Sequence, residues 1–358
     1  MKQLVNALGK LNRGRRASAV IALCAMAAMA LPAQPTIITF EAPGGEGTSA
    51  YSINTAGTIA GDCNDTSGVH HGFVRAASGT ITTFDAPSAG TAIAEGTFAS
   101  SINTAGAIAG SFYDAIREYH GFVRAASGTI TTFDAPGGGT DPNEGTYASS
   151  VNTAGTIAGY YLDVGVVYHA FVRAASGTIT TFDAPGAGTG AGQGTIASSI
   201  NMAGTIAGFY YDAGNVSHGF VRAASGTTTT FDAPGAGTAI GEGTFATSIN
   251  TAGTIAGYYY DAGFVCHGLV RAANGTIATF DAPGAYLGTF ATSINTDGAI
   301  AGYYIGPSDL SHSFVRSAAG TITAFAANSL ASSINSEGDV TGSVYGPSGL
   351  PHGYLLTR

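Results

Sequence analysis

Histidine is the residue best placed to do chemistry in this 358-residue chain, and seven of its eight copies occupy one repeated position: His71, His120, His169, His218, His267, His312 and His352. Each stands ten residues after the closing glycine of a Ser-Ile-Asn-Thr-Ala-Gly-like segment, usually inside His-Gly-Phe-Val-Arg. An arginine follows at Arg75, Arg124, Arg173, Arg222, Arg271 and Arg316, and a Phe-Asp-Ala-Pro segment supplies Asp85, Asp134, Asp183, Asp232 and Asp281. Imidazole, guanidinium and carboxylate are the groups of metal ligation and acid–base catalysis. A reacting centre, however, needs different groups converging on one point, whereas these are like groups carried on separate repeats. They read as architecture: a half-buried histidine that orders its repeat by hydrogen bonding, and arginine–aspartate pairs within or between repeats. No catalytic residue and no metal ligand is assigned from them.

Positions where the repeat is broken are better candidates for function. Asp62, Asn64, Asp65 and the eighth histidine, His70, replace the usual Tyr-Tyr-Asp pattern around Cys63 and form the most distinctive patch, suited to a cation or polar ligand. Arg117 with Glu118, and Asp141 in Asp-Pro-Asn, are weaker patches of the same kind. Glu46, Glu95, Glu144 and Glu242 read as a solvated acidic rim, for which calcium is the one cofactor to consider, although no D-x-D-x-D-G loop is present. The Tyr and Phe of the Gly-Tyr-Tyr-Tyr-Asp segments are expected to pack between repeats, or to stack sugar rings where exposed. Cys63 and Cys266 fall in distant repeats and are expected to stay unpaired.

The elements that must position these residues follow from the period. The Ser-Ile-Asn segment recurs from Ser52, Ser101, Ser150, Ser199, Ser248, Ser293 and Ser333. Each period holds four short runs rich in Thr, Ile, Val, Tyr and Phe, exemplified by TFASSIN, TIAGYYYD, VxHGFVR and TITTFDA, with Gly, Asn, Asp and Pro between them. Four antiparallel strands per repeat predict an all-β, seven-bladed β-propeller, with TFASSIN innermost and TITTF outermost. The last repeat lacks a TITTF strand, and one unmatched copy at 36–43 precedes the first repeat. That copy is expected to pair with the C-terminal blade and close the ring, which removes an open sheet edge. A solenoid is the competing architecture, but it has no use for a split repeat.

Both lysines and three arginines precede residue 17, and a small apolar stretch follows at 17–31. Residues 1–33 therefore read as a signal peptide, leaving 34–358 as one β-propeller domain that is secreted, periplasmic or extracellular and expected to be monomeric. The mature chain would set 8 arginines against 22 carboxylates, which argues against nucleic acid and anionic membrane as partners.

The unit I-N-x-x-G-x-I-x-G followed by H-G/A-F resembles the HAF-type probable extracellular repeat family, whose motif stands literally at His169-Ala170-Phe171. His312-Ser313-Phe314 and His352-Gly353-Tyr354 depart from it, and the final TITTF copy has lost its Asp and Pro. The resemblance implies secretion and a repeat scaffold, and it carries no activity. The leading functional expectation is a binding or scaffold module whose variable face meets a carbohydrate, peptide or cell-surface partner. The alternatives are a propeller-type lyase or hydrolase working through loop carboxylates, and a purely structural exported surface protein.

Overall fold

Asn-Thr-Ala-Gly turns set the pattern of the molecule. In the first of them Gly57 adopts φ 76°, a left-handed conformation that glycine takes without cost, and its N–H donates to Asn54 O at 3.0 Å. The turn reverses the chain between two strands, and a second tight turn at Ala76–Gly79 reverses it again. The computed structural model describes residues 36–357 and consists of strands without a helix among those residues. The leader expected at 1–33 lies outside the described residues.

After β1 (Thr36–Phe40), the first unit comprises β2 (Gly45–Ile53), β3 (Ile59–Asp65), β4 (His70–Arg75) and β5 (Ile81–Phe84). The second is β6 (Gly96–Ile102), β7 (Ile108–Tyr113), β8 (Tyr119–Arg124) and β9 (Ile130–Phe133). Strands β10 to β25 repeat this order from Gly145–Val151 to Ile322–Ala327. Within each unit neighbouring strands pair antiparallel, and a single parallel bridge such as His70↔Gly96 links each of the first five units to the next. The last unit is assembled from both ends of the described chain: β26 (Ser329–Ile334), β27 (Val340–Tyr345), β28 (Pro351–Thr357) and then β1. β1 lies antiparallel to β28, with Thr36 opposite Thr357 and Phe40 opposite Gly353.

One asparagine per unit joins these sheets. Asn54 Oδ1 accepts the Thr58 N–H and so braces its own turn, while Asn54 Nδ2 donates to Asn103 O. The inter-unit bond continues from Asn103 to Asn152, Asn201, Asn250, Asn295 and Asn335, and Asn335 Nδ2 donates back to Asn54 O at 3.1 Å. All seven side chains are buried, where unpaired amides would be costly. A serine makes a parallel belt. At the bulge in each first strand its Oγ accepts an N–H from the next unit, as from Ser52 to Ile102, and Ser333 accepts the Ile53 N–H.

The core lies in layers between successive sheets. Phe73, Phe122, Phe171, Phe220 and Phe314 are fully buried, and each meets the outer-strand phenylalanine of the preceding unit edge-on, as Phe122 meets Phe84 at 5.9 Å. Arginine covers the outer side of the same rings. Arg124 stands 4.8 Å from the Phe84 centroid, and Arg75 stands 4.9 Å from Phe40 on β1. The expected arginine–aspartate pairs do not form. The guanidinium stem lies along apolar surface and its charge faces a π-cloud, a contact worth about 0.5–2 kcal/mol.

Candidate ligand-binding site

The aspartates freed from arginine are taken by the repeated histidines. His71 Nδ1 lies 2.8 Å from Asp85 Oδ1, and its Nε2 faces Asp65 Oδ2 at 3.7 Å. His120, His169, His218 and His267 repeat this bridge between an outer-strand aspartate and a turn aspartate. In the last unit His352 turns instead to Glu41, just beyond β1. His312 keeps a stacked Tyr304, at 5.0 Å, in the unit whose aspartates are replaced by Gly306 and Ala326 or Ala327. Asp65, singled out from the sequence, therefore holds an ordinary repeat position. Its Oδ1 accepts the Ser67 and Val69 N–H groups, as Asp163 accepts those of Gly165 and Val167.

Two sets of loops meet at one end of the units, and a backbone frame fixes them. Asn143 N donates to Arg117 O, and Tyr119 N to Glu144 O; Ala94 to Gly68 and His70 to Glu95 are the matching bonds one unit earlier. Glu95, Glu144 and Glu242 are only 5%, 5% and 3% exposed, so they are not the solvated rim expected from sequence. Each folds back to accept an N–H three residues earlier, Glu95 from Ala92 at 2.9 Å, and so clamps its loop; Gln193 does the same for Gly190. Glu46 is exposed. The outward residues of the frame are the ones that vary, and they include exposed Ile93, Ile116, Val164, Ile240 and Phe264, so the face is more apolar than its acid count suggests.

The other sequence candidates separate on this face. Arg117 has φ 68°, is exposed, and brings Nε to 3.9 Å from Glu95 Oε1. Glu118 joins Asp114 and His120, with one potential ligand atom from each lying within 4.8 Å of the others. Burial raises the Glu118 carboxyl above its usual range. For His120, burial opposes protonation, but the hydrogen bond and charge of Asp134 and the charge of Glu118 outweigh it and hold the imidazole above its ordinary value. Asp141 is exposed and meets neither group; its N–H donates to Glu144.

Tyrosines dominate the frame's inner edge. Tyr119 and Tyr147 stand 4.2 Å apart, Tyr147 stacks on Tyr160 at 4.8 Å and 7°, and Tyr160 meets Tyr168 edge-on. Tyr147, Tyr160 and Tyr168, with Pro142, Asn143, Glu144, Leu162 and Val166, line a cavity of about 340 Å³. Sequence reasoning placed such rings between repeats but missed this cavity, whose signal was the presence of tyrosine on three successive strands of one unit.

The first unit breaks the aromatic layer. Asp62 occupies the place of Tyr160, His70 that of Tyr168, and Tyr51 that of Ser100 in the next unit. Asp62 is 4% exposed; its Oδ2 pairs with His70 Nδ1 at 2.7 Å, and its Oδ1 has no well-formed hydrogen bond. Phe98 covers the His70 ring at 4.5 Å. Burial, and then the adjacent Asp62 carboxylate, push the Tyr51 phenol above its usual range. Asn64 lies opposite His70 on the neighbouring strand. Cys63 is buried on the other face, its thiol pushed up to about 12 chiefly by burial, and neither it nor buried Cys266 forms a disulfide. Tyr51 and Phe98 also line a cavity of about 510 Å³ bounded by residues of the inner strands β2, β6 and β26.

No family model matches the chain, and no curated protein matches it. Solved structures do. A virginiamycin B lyase from Staphylococcus aureus, determined with quinupristin, superposes with a TM-score of 0.59 at 12% identity, over 91% of this chain and 100% of that one. A lectin from Burkholderia pseudomallei gives 0.55 at 7% identity, over 89% and 97%. A puromycin hydrolase gives 0.53 at 12% identity, over 86% of this chain and 52% of that one. These are β-propeller-like proteins of different activities, so the likeness concerns the fold.

Proposed function

We propose that the chain is a closed, seven-bladed β-propeller of the HAF-type extracellular repeat kind, exported by its leader, that binds a carbohydrate through its variable loop face. The closed reading is supported by the asparagine bonds that return from Asn335 to Asn54 and by the pairing of β1 with β28. Binding is carried by one observation: variable loop tips, held on a repeated backbone frame, surround a tyrosine-lined cavity of about 340 Å³. Stacked phenol rings offer flat apolar faces to a sugar ring, and the adjoining Asn143 offers a polar group for its hydroxyls.

The test is a thermal-melt screen of the purified chain against a polysaccharide panel, with and without chelator, because a ligand that favours the folded state raises its melting temperature. Tyr147→Ile and Tyr168→Ser serve as variants, since they copy Ile196 and Ser217 at the matching positions of the next unit. A saccharide-specific rise that both variants abolish is expected. No rise with any saccharide, or a rise that survives both substitutions, contradicts carbohydrate binding here.

A further inference from the structure

The Asp62 carboxylate is a built but unfinished site. One oxygen is committed to His70; the other is buried without a well-formed hydrogen bond, with the Tyr51 phenol against the carboxylate. A buried carboxylate oxygen left in that state carries a desolvation cost that a hydrogen-bond donor would relieve. The chain has few cations with which to do so. Six of its described arginines lie over phenylalanine rings, the seventh, Arg117, stands beside Glu95, and both lysines precede the described residues. The two rings in front of the pair, Tyr51 beside Asp62 and Phe98 over His70, line the cavity of about 510 Å³, and Tyr303 lines it too.

An acceptor oxygen backed by negative charge and fronted by aromatic faces is suited to an organic ammonium group. The N–H reaches the carboxylate while the cation meets the ring faces. We propose that Asp62, Tyr51 and Phe98 form a binding site for a small ligand carrying a primary ammonium group, with His70 as a positioning residue that fixes the carboxylate. Tyr51 turns aside to admit the ammonium. The proposal rests on the reading of the molecule as a binding module, and adds a cationic ligand at a site distinct from the Tyr147 cavity.

Isothermal titration of the full chain with methylammonium, benzylammonium and phenethylammonium tests it, with benzyl alcohol as the uncharged counterpart. At least one ammonium probe is expected to bind, benzyl alcohol is not, and Asp62→Asn is expected to weaken binding by about tenfold or more. Asp62→Ser copies Ser111 of the second unit, so it provides a second variant whose residue the fold already accommodates. Binding unchanged in a folded variant, equal binding of benzyl alcohol, or no binding of any ammonium probe overturns the proposal. Saccharide binding that persists in Asp62→Asn leaves the carbohydrate reading standing, so the two fail separately.

Discussion

Five of the repeated histidines sit between two aspartates, and for His120 protonation is part of the stability of the fold. His120 is held above the ordinary imidazole value of 6.5, so its contribution is fully present below that value and is lost as the pH rises through the raised one. For Asp163, burial works against the charge, but the Val167 and Gly165 N–H groups and His169 outweigh it and hold the carboxyl below 3.8. Its contribution is fully present above that value and is lost as the pH falls through the lowered one. Calorimetry across pH should therefore find both contributions intact only from about pH 4 to about pH 6.5. His120→Gln should flatten the alkaline fall alone; an alkaline limb identical to that of the parent would show that the contact contributes nothing. The histidine–aspartate partnership keeps a constant separation, His71 to Asp85 and His120 to Asp134, but near-equal copy number assigns those aspartates to the arginines. The arginine–phenylalanine partnership was not legible in the sequence, because it joins neighbouring units. From Arg124 to Phe84 and from Arg316 to Phe280 the separation changes with the length of the intervening repeat.

The four strands of each unit were readable from β-branched and aromatic runs punctuated by turn residues, and the innermost position of TFASSIN from its small side chains. The fate of the loop glutamates was hidden, since composition cannot distinguish a carboxylate facing water from one folded back onto an N–H three residues away. The cavity at Tyr147 was hidden for a related reason: whether adjacent rings pack tightly or leave a space depends on Pro142, in a loop of variable length, and on Val166, in a turn of variable sequence. At the other end of the strands, the turn asparagine does two tasks that no substitute performs together. Asn152 accepts from Thr156 N at a half-buried position and donates to Asn201 O at a buried one. Asn152→Ala should cost about 2–4 kcal/mol, the sum of the two bonds and the groups they leave unpaired. Chemical denaturation would measure it, and a loss below about 0.5 kcal/mol, the range of an ordinary surface change, would show that the belt contributes little.

Repetition of near-identical sheets explains how one molecule can be both uniform and asymmetric. Among the uniform positions, the arginines and turn asparagines hold sheet against sheet, and the histidines brace each sheet within itself. The exceptions, the Tyr147 cavity and the Asp62 pair, stand in different units, and the ligands proposed for them differ in chemistry. In the proposed closed ring β1 covers β28, which would otherwise be an unpaired edge. The direct measurement is a cross-link between the strands that close it. Ile38 lies opposite Leu355, and facing positions in an antiparallel pair fall within the Cα separation that a disulfide spans. A chain carrying Ile38→Cys and Leu355→Cys should oxidise within one molecule, migrate faster than its reduced form under denaturing conditions, and melt at a higher temperature. Thiols that stay free under a mild oxidant, or disulfides that form only between molecules, would contradict closure of the ring by the N-terminal strand.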